Sequence, residues 1–199
     1  MLTFDHIAIS AETLAAGTAH VESTLGVTLG PIGHHPLMAT HNRLLALGDI
    51  YLEVIAIDPD APKPAWPRWF DLDHFSGPPR LTNWVARTDD LPTALTQTLP
   101  GTGTPVALSR GNYRWQMAVP PDGKLPLNGT HPALIQWEGP HHPTQALPEA
   151  HIRLTRLTLS HPQADLLRPL ITDPRIHLTT GPHKLTADFD TPNGPRTLT

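Results

Sequence analysis

The stretch Leu2–Gly26, LTFDHIAIS followed by AETLAAGTAHVESTLG, changes period near its middle, and that change decides the fold. From Leu2 to Ser10 the residues alternate at period two, which puts Phe4, His6 and Ala8 on one face of a strand and Asp5, Ile7 and Ile9 on the other. Residues 11–24 then lead a helical pattern through Leu14, Thr18, Val21 and Leu25, with Ser10 able to cap its start and Gly26 placed to stop it. Beyond the helix come Val27–Leu29, a Gly-Pro and His-His-Pro loop, a strand at His41–Leu47, a Gly48-Asp49 turn and a strand at Ile50–Ile57. The resulting order is βαβββ.

That order recurs. Residues 58–79 hold six prolines and two tryptophans and read as an ordered but irregular linker. A strand at 81–88, a short helix at 89–99 and strands at Pro105–Ser109, Tyr113–Val119 and Ala133–Glu138 follow, with 120–132 a long Pro- and Gly-rich loop suited to a lid or rim. After a Pro-rich break at 139–149, Ile152–Ser160, a short helix at Gln163–Ile171, Arg175–Thr179, Lys184–Asp190 and a last strand after the Asn193-Gly194 turn echo the pattern once more. The expected fold class is α+β: tandem βαβββ modules at 1–57 and 80–139 forming a cupped, barrel-like mixed sheet within residues 1–143, and a third, partial βαβββ module at 150–199.

Composition narrows the function classes. The chain has 199 residues and no cysteine, so disulfides, thiolate metal sites and cysteine nucleophiles are excluded. Fourteen Lys+Arg against 18 Asp+Glu give a net charge of −4 with no basic stripe, and no nucleic-acid partner is expected. No apolar run approaches the roughly 20 residues that span a bilayer, and MLTFDHIAIS lacks the character of a leader, so no membrane partner is expected and the cytoplasm is the expected compartment. The 24 prolines disfavour long helices. Most of the 13 histidines, including His34-His35 and His141-His142 beside prolines, read as ordinary loop residues.

Two modules face to face enclose a cup lined by inward residues. His6 on the first strand and Glu53 in YLEVIAI on the last are polar residues set in apolar text, and a buried carboxylate needs an ion, a cation or hydrogen bonds. A shared ion fits them. So does a second arrangement, in which Glu53 pairs with Arg43 or Arg114 and His6 is a hydrogen-bonded core histidine.

The segments DHIAIS, THNRLLALG, YLEVIAIDPDAP, RLTNWVARTDDL, SRGNYRWQMAVPPDG and ALIQWEGPH, in that order over residues 1–143, resemble the glyoxalase-like branch of the vicinal oxygen chelate superfamily. The resemblance implies a divalent ion (Zn, Ni, Mn or Fe) held by one residue from the first and one from the last strand of each module, chelating two neighbouring substrate oxygens. Carried onto this chain, the metal set is His6, Glu53, Gln136 and Asn83. Asn83 stands where related sequences commonly have histidine, and an amide oxygen is a poor substitute for imidazole toward zinc, nickel or iron. Glu53 is the expected catalytic base.

His41 and Asn42 are candidate substrate contacts, although strand alternation lets only one of them face the cup. Arg110, Arg114, Trp115 and Trp84 could hold an anionic, planar or apolar ligand, with core packing the alternative for the tryptophans. No phosphate loop, GxSxG elbow or HExxH helix is present, so no nucleotide cofactor is implied. The third module carries no ligand set and is expected to extend the sheet or to contribute to a homodimer. Two functions follow: a metal-dependent lyase, isomerase or dioxygenase-like enzyme acting on a small oxygen-rich metabolite, or a metal-free protein that binds and sequesters a small-molecule ligand.

Overall fold

A strand at the centre of the chain's larger sheet, Thr3–Ser10 (β1), organises the computed structural model, which describes residues 1–199. It is followed by a helix at Leu14–Leu25 (α1) and strands at Gly33–His35 (β2), Thr40–Ala46 (β3) and Tyr51–Ile57 (β4). The second module comprises Arg80–Arg87 (β5), a one-turn helix at Leu91–Leu95 (α2), Thr104–Arg110 (β6), Tyr113–Val119 (β7) and Ala133–Trp137 (β8). These strands form one eight-stranded sheet in the order β2-β3-β4-β1-β5-β8-β7-β6. β1 pairs in parallel with β4, β5 in parallel with β8, and the antiparallel β1–β5 pair joins the modules. The edge strands β2 and β6 meet, so the sheet curls into a nearly closed cup.

The helix is built as its spacing predicts but starts later. Thr13, not Ser10, is the cap, its hydroxyl accepting from Ala16 N at 3.1 Å, while Ser10 remains in β1 and shares a 2.6 Å hydrogen bond with Thr82. Gly26 ends the helix at φ 70°, the left-handed conformation that a residue without Cβ adopts freely. The second strand of the first module is Gly33–His35, inside the stretch that reads as a loop, and not Val27–Leu29. Leu14, Gly17, Val21 and Leu25 bury α1 on the sheet.

The C-terminal unit keeps the order of elements but not the pairing. Arg153–Ser160 (β9), a 3-10 segment at Ala164–Leu170, Ile176–Thr179 (β10), Lys184–Asp190 (β11) and Arg196–Leu198 (β12) form a separate sheet ordered β10-β9-β11-β12. It does not extend the larger sheet. It packs on the outer face of the cup, where Leu157, Leu159, Ala187 and Phe189 join Ile7, Ile9, Leu52, Trp84 and Leu134 in one cluster of 29 buried residues. Arg175 adds a two-pronged pair to Asp49, and Leu81 N donates to Thr199 O. No helix is long and apolar enough to cross a membrane.

A shared core makes the unfolding of the two sheets cooperative. All five tryptophans lie between residues 66 and 137, so none belongs to the C-terminal sheet and fluorescence follows the unfolding of the larger unit. Phe189→Ala, in the C-terminal sheet, is expected to lower the stability measured by urea unfolding and tryptophan fluorescence by about 3 to 5 kcal/mol. An unchanged tryptophan transition would mean that the two sheets fold independently.

Candidate active site in the cup

The inner face of the cup is set by a bulge in β1. Phe4 lies opposite Ala86 and His6 opposite Val85, so two steps along β1 match one along β5 and Asp5 is the extra residue. Regular alternation would put Phe4 and His6 on one face. Instead Phe4 turns outward and packs edge-on against Trp84 at 5.9 Å, while His6 faces inward and Asp5 turns toward it. His6 Nδ1 donates to Asp5 Oδ1 at 2.6 Å. The other oxygen of Asp5 accepts from Trp137 Nε1 and His142 Nε2, both at 3.0 Å, with Arg87 at 3.6 Å.

On its cup side, His6 Nε2 lies 3.6 Å from Glu53 Oε2, and its ring stacks on Tyr51 at 4.3 Å. Glu53 Oε1 accepts from Asn42 Nδ2 at 2.5 Å. The same amide nitrogen donates to His35 Nε2 at 3.3 Å, and Asn42 Oδ1 accepts from Arg110 Nη1 at 2.7 Å. Every polar position of Asn42 is thereby used, which fixes its amide and requires His35 to accept at Nε2 and to donate from Nδ1 to Thr40 Oγ1. A continuous polar chain runs Asp5, His6, Glu53, Asn42, Arg110.

Charge follows from these contacts. Burial opposes ionisation of Glu53, but His6 and Asn42 more than offset it and hold the carboxyl near 2. Burial likewise opposes a charged His6, yet its hydrogen bond to Asp5 and the Glu53 carboxylate 3.6 Å away raise it to about 8. His35 goes the other way: burial lowers it to about 4, in keeping with its role as an acceptor. At neutral pH the cup therefore holds an imidazolium between two carboxylates, with a neutral imidazole alongside.

The cavity over this pair is about 30 Å³, room for about two waters. Trp69, Trp115, Trp137 and Phe70 supply much of its apolar wall. Beside it lies an open groove of about 740 Å³, lined by Ile32, His34, Tyr113 and His141, which shares Leu44 and Arg110 with the cavity. Arg110 thus stands at the junction of groove and cavity.

The residues picked out by sequence scatter more widely. His6, Glu53, Asn42 and Trp115 line the cavity. His41 alternates outward from Asn42, Arg114 is exposed on the outer side of β7, and Trp84 is buried in the outer core with its indole N–H donated to Thr130 O. Arg110, not Arg114, is the arginine of the cup. The loop at 120–132 is no lid: Leu125, Thr130 and His131 are buried within the fold.

The pairing of β1 and β5 tests the expected ligand set. His6 lies opposite Val85 and Ala8 opposite Asn83, so Asn83 holds in β5 the place that His6 holds in β1. Glu53 lies beside Ala8, and Ala133 beside Val85. The counterpart of Glu53 is therefore Ala133, a residue with no donor atom. Gln136 faces outward, where its Oε1 accepts from Leu91 N at 2.7 Å and caps α2. Asn83 lines a different pocket, whose only residue in common with the cavity is Phe70. Phe70 and Asp71 are held at φ 57° and 54°, a costly left-handed pair for side-chain-bearing residues, in part by Asp71 N donating to Gly123 O.

A divalent ion does not fit this arrangement. Asp5 orients His6 as an outer carboxylate orients a metal-bound imidazole, but zinc-type sites take three or four protein ligands, and only His6 and Glu53 converge. The one group of three potential ligands within 4.8 Å of one another is His34, His41 and Asp58, on the outer face.

The residues missed by sequence reading are Asp5, His35, Tyr51, Trp137 and His142. Asp5 was hidden by the bulge, since strict alternation assigns it to the outer face. His35 and His142 sit beside prolines in text that reads as turns, although His142 both caps the 3-10 turn at Pro143–Gln145 and reaches Asp5.

Comparison with known proteins completes the picture. A family model described as a glyoxalase-like domain matches residues 4–173. Comparison with curated proteins finds no match. A hypothetical protein from Staphylococcus aureus superposes with a TM-score of 0.56 at 13% identity, over 97% of this chain and 83% of that one. A hypothetical protein from Bacillus halodurans gives 0.46 at 12% identity, over 71% and 96%, and methylmalonyl-CoA epimerase from Mycobacterium tuberculosis 0.45 at 16%, over 69% and 88%. At 13% identity the staphylococcal likeness is one of fold alone.

The electrostatic pattern predicts a stability window. Glu53, with a folded value below its ordinary 4.5, stabilises fully above that pH and loses its contribution as pH falls toward 2. His6, raised above its ordinary 6.5, stabilises fully below 6.5 and loses its contribution as pH rises through about 8. Unfolding free energy is expected to be flat between pH 4.5 and 6.5 as far as these two groups are concerned, and to fall on both sides. In Asp5→Asn the alkaline fall should shrink, and imidazole NMR should show His6 titrating below the wild-type value.

Proposed function

This chain belongs to the glyoxalase-like domain family of the vicinal oxygen chelate superfamily, and we propose that within it the cup serves a lyase or isomerase reaction on a small, anionic, oxygen-rich metabolite. The observation that carries this reading is the buried His6–Glu53 pair, 3.6 Å apart at the wall of a cavity and braced by Asp5 on one side and Asn42 on the other. Such a pair can act on a carbonyl compound with a proton on the neighbouring carbon. The carbonyl oxygen accepts from His6 Nε2 while the C–H faces Glu53. Glu53 takes the proton, the electron pair of the broken C–H bond becomes the C=C bond of an enolate as the carbonyl π pair moves onto oxygen, and the imidazolium stabilises that oxygen. The proton returns from Glu53 to the same carbon, or, in an α-hydroxy carbonyl compound whose hydroxyl proton has moved to the enolate oxygen, to the former carbonyl carbon, leaving a carbonyl at its neighbour.

The low pKa of Glu53 is not a bar to its acting as base. It is low because His6 faces it, and a carbonyl that takes the Nε2–H weakens that hold and makes the carboxylate more basic as the reaction begins. Arg110 supplies a positive charge where groove and cavity join, which suits an anionic substrate entering from the groove. The metal dependence implied by the family resemblance has no step here, because only two ligands converge.

A second reading, a metal-free protein that binds and sequesters a small molecule, is favoured by the wall of Trp69, Trp115 and Trp137. Deuterium exchange separates the two. In D₂O, with a panel of small 2-oxo acids and α-hydroxy carbonyl compounds, the enzyme reading predicts protein-dependent exchange at the carbon next to the carbonyl, followed by NMR. Glu53→Gln should reduce that exchange by about 10²-fold or more. Binding without exchange in the wild-type protein would favour sequestration, and exchange that persists in Glu53→Gln would remove Glu53 as the base.

A further inference from the structure

Outside the cup, one cluster of side chains has the composition of a binding site and takes no part in the chemistry of the cup. His34 on β2 and His41 on β3 are cross-strand partners on the outer face, and Asp58 follows the end of β4 directly. One ligand atom from each of the three lies within 4.8 Å of the others. Asp58 is almost fully buried and anchored, its N–H donating to Ala39 O at 3.0 Å and its Oδ1 accepting from Asp60 N at 3.1 Å. Its Oδ2 accepts from His34 Nδ1 at 2.7 Å.

A single His34–Asp58 contact would explain that pair but not His41. The His41 side chain is only 14% exposed, its Nδ1 lies 3.9 Å from Asp58 Oδ1, too far for a hydrogen bond, and its Nε2 is buried without a partner. An imidazole nitrogen held 3.9 Å from a carboxylate without a hydrogen bond is an arrangement that a shared cation at Nδ1 would satisfy.

We infer that His34, His41 and Asp58 form a site for one divalent transition-metal ion on the outer face of the first module. Two imidazoles and one carboxylate suit Zn²⁺, Co²⁺, Ni²⁺ or Cu²⁺ and discriminate against Mg²⁺ and Ca²⁺, which prefer all-oxygen shells. Bonds of about 2.0 to 2.2 Å put ligand atoms roughly 3 to 3.6 Å apart, so the site closes by about an ångström when the ion enters. His34, with 60% of its side chain exposed, rotates out of its 2.7 Å contact with Asp58, and His41 closes on Asp58 from 3.9 Å. Three protein ligands leave at least one coordination position to water or a small anion.

The test uses the untagged full chain at pH 7.5. Co²⁺ titration followed by visible absorption, with Zn²⁺ competition and calorimetry, is expected to give one ion per chain. Zn²⁺ is expected to raise the melting temperature. His34→Ala, an exposed position where folding is not at risk, should weaken binding by about tenfold or more, and Asp58→Asn should do the same. Glu53→Gln, in the cup, should leave the affinity unchanged. No stoichiometric binding, or binding that survives His34→Ala and is lost in Glu53→Gln, would overturn the assignment.

Discussion

The hydrogen bond from His6 to Asp5 is the contact on which the rest of the site depends. Neither residue could occupy its position alone: an isolated buried carboxylate or imidazolium is too costly to desolvate. Together, and with Glu53 on the far side of the imidazole, they form a chain of alternating charge in which each group has a partner. The two indole and imidazole donors on Asp5 satisfy its second oxygen, and the Asn42 amide satisfies that of Glu53. The arrangement requires Asp5 and His6, adjacent in sequence, to turn toward each other, and a regular strand cannot do that. The bulge in β1 is what allows it.

The sheet then places everything else. β4 lies beside β1 and brings Tyr51 and Glu53 to His6; β3 lies beside β4 and brings Asn42. The closure of β2 against β6 brings Arg110 from the second module to Asn42 of the first, so the polar chain crosses the seam of the cup. The second module contributes walls rather than ligands. Where a symmetric chelate site would need two more donors, β5 and β8 offer Asn83 and Ala133, and the strained turn at Phe70 fills the space between the two pockets. The internal two-fold of the fold is kept in the backbone and lost in the chemistry.

Much of the architecture was legible in the residues because periodicity is local. The alternation in β1 and β4, the spacing of Leu14, Val21 and Leu25, and the turn at Gly48-Asp49 each follow from a few neighbouring side chains, and their order implies the module. His6 and Glu53 stood out for a related reason, as polar residues in apolar strands. What was not legible depends on register. A one-residue bulge moved Phe4 outward and Asp5 toward His6, and no local pattern marks it. The choice between His41 and Asn42, between Arg110 and Arg114, and between Ala133 and Gln136 as the counterpart of Glu53 depended on which parity faces inward, and strand pairing alone settles that. The pairing of the C-terminal unit was equally invisible, because β9-β10-β11 can be ordered in more than one way with the same element sequence.

The central claim is that Asp5, His6 and Glu53 act as one coupled unit. A double-mutant cycle tests it most directly, with unfolding free energies at pH 6 for the wild type, Asp5→Asn, Glu53→Gln and the double variant. The two carboxylates do not touch each other, and the imidazolium between them is the group that links them. The account predicts non-additivity of about 0.5 to 3 kcal/mol. Effects that add within about 0.5 kcal/mol would contradict it, and would mean that the two carboxylates are separate buried residues rather than ends of one charged chain.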